Sequence, residues 1–329
     1  MQKYLHYNCI KLGNINNLQI QEISRKKLKK NLLRIQVHAI GLNYVDVLMI
    51  KGKYQHKKNA PFIPGIEACG IIIEENCNDK KLIGKKVIIN TKGGCFSEEA
   101  IVSLNEIIII PTQLDSALAA GAFVPTLTSY IALKEVGKLK KKDSLLITGA
   151  SGGIGTAAVQ LADSLGANIT SIVSNSIKKN FLNKILPHKI LLIQSKELQN
   201  IKKYKDKYKI SIILDINGLI KSKNILRFLG WKGKYIIIGF MDNNFFNIPT
   251  NYILMKGLNI YGVRAGEYLN KSKNKIQILK NLIKIIKKQN LKTNCYNLVP
   301  FKGLKNNLVK LDTRKSLGKN VVITKYYKK

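Results

Sequence analysis

The sequence predicts an α/β protein in which a doubly wound parallel sheet is inserted between two parts of a β-barrel-type domain. Three observations carry this expectation. Residues 144–155, SLLITGASGGIG, pass from an apolar run through a glycine-rich turn into residues of helical spacing. Strand and helix patterns then alternate as far as residue 263, as parallel strands joined by helical crossovers require. Before residue 116 there are instead many short strands with turn residues between them, and β character returns at residues 321–324.

Length and composition limit the possibilities. A chain of 329 residues with 45% hydrophobic residues is long enough for two cores of ordinary size. No stretch approaches the roughly 20 uninterrupted apolar residues of a membrane span, and the opening MQKYLHYNCIKLG is neither a signal peptide nor a transit peptide in character, so a cytoplasmic location is expected. The five cysteines are scattered without metal-site spacing and read as reduced thiols. The net charge of +37 comes almost entirely from lysines dispersed along the chain, with only five arginines. Base readout favours arginine, and no nucleic-acid-binding motif is present, so the charge points to weak nonspecific polyanion binding more than to a dedicated nucleic-acid role.

Taken in order, residues 4–23 alternate loosely around Gly13-Asn14 and suggest a hairpin. Residues 32–39 alternate apolar and polar, as a half-buried strand does, and strands follow at 70–73, 86–90 and 96–102, with Gly93-Gly94 as a turn; residues 106–111 close the group. Residues 116–133 are helix-spaced and interrupted by Pro125. From there strands at 144–149, 168–173, 189–193, 211–215, 234–239 and 258–263 alternate with helices at 153–166, 176–186, 221–230 and 249–256. Residues 271–290 are strongly amphipathic, with Ile276, Leu279, Leu282, Ile283 and Ile286 as the expected core face.

The turn at 149–155 suits a dinucleotide. Glycines at 149, 152, 153 and 155 let backbone N–H groups approach a pyrophosphate, and the following helix offers about half a positive charge at its N-terminus. Gly152, Gly153, Ile154 and Gly155 are the expected contacts. After the second strand of this half comes IVSNSIKK, with no acid to bond a ribose 2′-hydroxyl. Ser174, Asn175 and Lys178 there suit a 2′-phosphate, so NADPH is expected over NADH. Asn217, Gly239 and Phe240 follow the fourth and fifth strands, at the edge where such sheets bind ligands. Arg264 follows the sixth, where it faces the cofactor or makes a plain ion pair.

Several segments in one order now resemble a single family: VHAIGLNYVDVLMIKGKY, PFIPGIEACG, GASGGIGTAAVQLA, DINGL, RFLGWKGKYIIIGF, NIPTNYILMKGLNIYGVRAGEY and GKNVVIT. The chain resembles the zinc-independent quinone oxidoreductases of the medium-chain dehydrogenase/reductase superfamily over nearly its whole length. The resemblance implies a GroES-like catalytic domain over residues 1–122 and 265–329 and a Rossmann NADPH-binding domain over residues 123–264. It implies hydride transfer to a small-molecule acceptor, a quinone or an activated alkene such as an enoyl thioester. RNA or polyanion binding by the same fold is the non-enzymatic alternative.

The resemblance also implies site residues. Asn43 and Tyr54 match positions lining the nicotinamide and substrate pocket, with Tyr54 the first candidate for proton delivery and these two the expected catalytic residues. Thr128 matches a threonine on the nicotinamide side, Lys178 a phosphate-contacting lysine, and Lys319 a lysine near the cofactor. Zinc-dependent relatives carry Cys three residues before the equivalent of Asp46 and His one residue before the equivalent of Glu67; Asn43 and Ile66 stand there, so no metal is expected. The family often has Tyr where Ile193 or Gln194 stands. Pairing of strand 258–263 across a twofold axis would match the family's homodimer.

Overall fold

The computed structural model describes residues 2–192, 209–218, 225–240, 247–288 and 296–328. Its contacts divide the chain into two units, Met1–Phe123 with Tyr296–Lys329, and Val124–Cys295.

The chain opens with strands β1 (Lys3–Cys9) and β2 (Leu18–Ser24), an antiparallel hairpin in register from Lys3 opposite Ser24 to Cys9 opposite Leu18. Strand β3 (Leu32–Gly41) follows, with Leu33, Ile35, Val37 and Ala39 fully buried on one face. Arg34, on the other face, is buried as well, its Nε donating to Glu74 at 2.6 Å. The apolar stretch after Gly41 folds as helix α1 (Tyr44–Ile50), which interrupts the expected run of strands. Strands β4 (Glu67–Glu75), β5 (Lys86–Asn90), β6 (Glu99–Ser103) and β7 (Ile107–Ile109) complete this stretch.

Helix α2 (Ser116–Tyr130) carries Pro125 inside it and continues as a π-helical turn over Ile131–Val136. Together they are long and apolar enough to cross a membrane by composition, but most of this segment is buried within the protein. The alternating half then runs β8 (Ser144–Thr148), α3 (Gly153–Ser164), β9 (Asn168–Val173), α4 (Ser176–Ile185), β10 (Lys189–Leu192), β11 (Ile210–Asp215), β12 (Leu229–Ile237), α5 (Thr250–Lys256) and β13 (Asn259–Gly262). The six strands are all parallel in the order β10-β9-β8-β11-β12-β13. That is the doubly wound order, reversing direction between β8 and β11. The helix expected at 221–230 is absent at its described end: Ile225–Phe228 is a 3-10 turn and Leu229 and Gly230 already belong to β12, which pairs with β11. The rest of that stretch, 221–224, and Ile193 and Gln194 lie outside the described residues.

Helices α6 (Ala265–Lys271) and α7 (Lys275–Lys288) follow. Residues 265–288 belong to the second unit, whereas the sequence suggests a return to the first domain from 265. The buried face of α7 is Ile278, Leu282 and Ile286, and Asn281 donates to the Tyr130 hydroxyl at 3.1 Å. Ile276, expected in the core, is 71% exposed. The first unit then resumes with β14 (Tyr296–Pro300), α8 (Leu304–Asp312) and β15 (Lys319–Ile323). Its seven-stranded sheet runs β14-β15-β3-β4-β5-β7, with β6 also on β3, so β15 reaches back to pair Val321 with Gly41. The expected insertion of a parallel sheet into a β domain is the observed architecture.

Candidate dinucleotide site and the buried polar cluster of the β unit

In the second unit the turn after β8 is shaped by close packing. Gly149 has φ of +64°, a left-handed conformation that favours glycine, and a Cβ there would lie 2.9 Å from the Asn217 amide nitrogen. A Cβ on Gly155 would lie 2.4 Å from both the Ala150 Cα and the Gly149 carbonyl oxygen, so only glycine lets α3 approach β8 this closely. Around Gly152, the N-cap residue of α3, a Cβ would meet only the Gly149 carbonyl, at 3.6 Å. The start of α3, with Gly153 and Ile154 in its first turn, is thus open to an anion, as a pyrophosphate needs. The Ser129 hydroxyl of α2 donates to the Ile154 carbonyl at 3.1 Å and ties the two helices together.

The turn after β9 gathers the three residues expected to discriminate the cofactor. Asn175 caps α4, its side chain accepting from the Lys178 backbone at 3.0 Å, and the Lys178 ammonium donates to the Ser174 hydroxyl at 3.0 Å. Ser174 and Asn175 are exposed, and no acid stands among them. The cluster combines a cation, a hydroxyl and a helix N-terminus, a donor set suited to a phosphate.

After β11, Asn217 is buried against the Gly149 turn. Its neighbour Asp215, fully buried, accepts from the Thr148 hydroxyl at 2.6 Å, from the Gly218 backbone at 3.1 Å and from the Tyr235 hydroxyl. Burial, with the Asp215 charge beside it, raises the Tyr235 pKa. Gly239 and Phe240 follow β12 and sit beside this turn, since a Cβ on Gly218 would meet the Phe240 ring at 2.8 Å. Arg264 is exposed at the start of α6. Thr128 is buried, and its hydroxyl bonds the Val124 carbonyl of its own helix at 2.8 Å.

The first unit brings Asn43 and Lys319 together, 276 residues apart in sequence. The Lys319 ammonium lies 2.7 Å from the Asn43 Oδ1 and 2.7 Å from the Glu67 Oε2. The Asn43 Nδ2 donates to Glu67 at 2.9 Å and to the Gly41 carbonyl at 3.1 Å, which commits both of its N–H bonds inside the protein. Asp46 accepts from the Asn43 backbone at 2.8 Å and the Ile66 backbone at 3.2 Å. Asp46 and Glu67 are fully buried. Burial pushes the Asp46 pKa up to about 7 despite the two backbone donors and the nearby Lys319 charge. Cys95 is buried beside the two acids, and burial together with their charges raises its thiol pKa. A Cβ on Gly41 would lie 2.5 Å from the Glu67 carboxylate and 2.2 Å from the Ala120 carbonyl, so the carboxylate rests on bare backbone. Tyr54 lies in the loop after α1, half-buried, its ring edge-on to His56 with centroids 5.6 Å apart.

Known proteins match at the level of both domains and fold. Residues 29–132 match the family model of the alcohol dehydrogenase GroES-like domain, and residues 153–284 match that of the zinc-binding dehydrogenases. The quinone oxidoreductase-like protein 2 homolog of Nematostella vectensis is 28% identical over 287 residues, covering 86% of this chain and 77% of that protein. Escherichia coli quinone oxidoreductase, solved in complex with NADPH, superposes with a TM-score of 0.84 at 20% identity over 97% of this chain and 99% of that one. The JamJ enoyl reductase superposes with a TM-score of 0.80 at 21% identity, covering 98% of this chain and all of that one. The two family models together span most of the chain in the domain order of the medium-chain dehydrogenase/reductase superfamily; the chain belongs to this superfamily of oxidoreductases, and quinone oxidoreductase-like proteins are among its relatives.

Proposed function

We propose that the chain is an NADPH-dependent, metal-free oxidoreductase that passes a hydride to a quinone. The observation that carries the cofactor is the pairing of an open α3 N-terminus at Gly152 with the Ser174, Asn175 and Lys178 cluster one strand away. A dinucleotide would be held by Gly152, Gly153, Ile154 and Gly155 at its pyrophosphate and by Ser174, Asn175 and Lys178 at its 2′-phosphate. Bound, it supplies the hydride. Thermal-shift titration tests this directly: NADPH is expected to stabilise the chain more than NADH at equal concentration, and equal stabilisation overturns the 2′-phosphate assignment.

A metal-free reaction is supported by the donor set of the first unit. Ile66 has no ligating group, and Asn43 holds its amide on Glu67, Gly41 and Lys319. The ammonium already supplies a positive charge beside the carboxylate. Catalysis then rests on orientation and on exclusion of water, with the proton delivered by water or by the Tyr54 hydroxyl. Thr128, Asn217, Gly239, Phe240 and Arg264 complete the residues of the second unit assigned to the cofactor. Replacing Tyr54 with Phe distinguishes the two proton sources, since unchanged turnover with several quinones removes the hydroxyl from the reaction.

The likeness of fold to an enoyl reductase favours a second acceptor class, the α,β-unsaturated carbonyls and their thioesters. Rates of NADPH oxidation with 1,4-benzoquinone, 9,10-phenanthrenequinone and an enal separate the two. A homodimer is part of the proposal: β13 is an edge strand, and Trp231, Leu254 and Met255, 71%, 83% and 74% exposed, give the second unit apolar surface.

A further inference from the structure

Besides the turn after β9, the dinucleotide site of this proposal uses two turns that follow strands on either side of the sheet's reversal point, after β8 and after β11. Each turn has a glycine in the left-handed region, Gly149 at φ +64° and Gly218 at φ +62°. Neither conformation is held by its own strand ladder, which ends at Thr148 opposite Asp215. What connects them is a buried relay of side chains. The Thr148 hydroxyl donates to the Asp215 Oδ1 at 2.6 Å and accepts from the Ile216 backbone at 3.2 Å, while the same Oδ1 accepts from the Gly218 backbone at 3.1 Å. Thr148 Oγ1 also lies 3.3 Å from the Asn217 side-chain oxygen. A hydroxyl one residue before Gly149 therefore holds the Asp215 carboxylate and the Ile216 backbone directly, and the Gly218 backbone through Asp215. That turn in turn closes over Gly149, whose missing Cβ is the space the Asn217 amide fills.

We infer that Thr148 and Asp215 are positioning residues of the dinucleotide site, locking the turns after β8 and β11 into one rigid element before any ligand arrives. The inference rests on the second unit binding a dinucleotide. Neither residue needs to touch the ligand; each acts through the backbone of 149–153 and through Asn217. Preorganisation of this kind lowers the cost of ordering the site on binding. The third donor to Asp215 provides an internal control. Tyr235 bonds the other carboxylate oxygen, Oδ2, from within β12 and is equally buried, whereas Thr148 and Gly218 bond Oδ1.

The test compares Thr148→Val, Thr148→Ser and Tyr235→Phe. Dissociation constants for NADPH are measured by calorimetry, and amide exchange of residues 149–154 is followed by mass spectrometry without ligand. Thr148→Val is expected to weaken NADPH about tenfold, with turnover at saturating NADPH within about twofold, and to speed exchange in the turn. Thr148→Ser keeps the hydroxyl and restores both values. Tyr235→Phe lowers the melting temperature but leaves both values unchanged. If wild type binds NADPH while Thr148→Val alters neither affinity nor exchange, or if Tyr235→Phe alters them equally, the positioning role is overturned and the cofactor reading stands. If wild type binds neither NADPH nor NADH, the cofactor reading falls and takes the inference with it.

Discussion

Each unit buries a carboxylate-centred cluster, and the two are satisfied by opposite means. In the β unit Glu67 is held by a formal cation, the Lys319 ammonium, with the Asn43 amide bridging both. In the parallel-sheet unit Asp215 is held by two hydroxyls and a backbone N–H. Asp46 stands between these extremes, since two backbone donors and a neighbouring charge leave its pKa at about 7. The comparison teaches that a buried carboxylate can be secured either by a cation in direct contact or by neutral donors aimed at it. It also separates what each cluster is sensitive to: one to the removal of charge, the other to the loss of geometry.

The largest expected effect lies in the charged cluster. Replacing Lys319 with Met strands the Glu67 carboxylate in a fully buried position, and a loss of about 3–5 kcal/mol in urea unfolding is expected. Adding Glu67→Gln to that variant removes the stranded charge and should recover part of the loss. No recovery would mean that the lysine acts through packing, and the contrast between the clusters would fail.

Next is the pH dependence contributed by Asp46. Its pKa rises from the ordinary 3.8 to about 7 on folding, so the folded chain holds this proton more tightly than the unfolded one. The associated stability is fully present below about pH 4 and is lost as pH rises through 7, by a few kcal/mol at most. The difference between wild type and Asp46→Asn isolates it from His6, His38 and His188, whose lowered pKa values act in the opposite direction. Unfolding free energies measured at pH 5 and pH 8 should show the wild type losing more than the variant over that interval; parallel losses would contradict the shift.

A smaller effect is expected from volume in the second unit. Gly155→Ala drives a methyl against the backbone of Gly149 and Ala150, which cannot rotate away, and should cost about 1–3 kcal/mol and weaken dinucleotide binding. Thermal melting with and without NADPH reads both. An unperturbed melting curve would show that the turn yields, and that geometry is less strictly set there than the Asp215 cluster suggests.

Much of this was legible in the sequence, and the reason differs by element. The run β8-α3-β9-α4 is written in local patterns, an apolar strand, a glycine turn, an amphipathic helix, and its observed limits differ from the expected ones by no more than two residues. Helix α1 is hard to read because Val45, Val47, Leu48, Met49 and Ile50 form a nearly continuous apolar run that does not separate helix from strand; its local signal is Asn43 followed three residues later by Asp46, a capping pair. Helix α8 has only Leu304 and Leu308 spaced for a buried face, too short a pattern to announce a helix. The helix expected at 221–230 ran into β12, where pairing with β11 outweighs the local preference. The site residues divide in the same way. Ser174, Asn175 and Lys178 are neighbours in sequence and were found together. Glu67 with Lys319, and Thr148 with Asp215 and Tyr235, are joined only by sheet register across 252, 67 and 20 residues, and no local motif announces them.

The pairing of β15 with β3 has a consequence for the order in which a ribosome releases these parts. Every strand of the six-stranded parallel sheet emerges before residue 263, so that sheet can assemble while synthesis continues. The β unit has to wait. Until residues 319–323 are translated, the end of β3 from Ala39 to Gly41 lacks one neighbour, and Glu67 has no ammonium. Glu67 is thus among the last groups to reach its final electrostatic state, because its ammonium is supplied from 252 residues further along the chain.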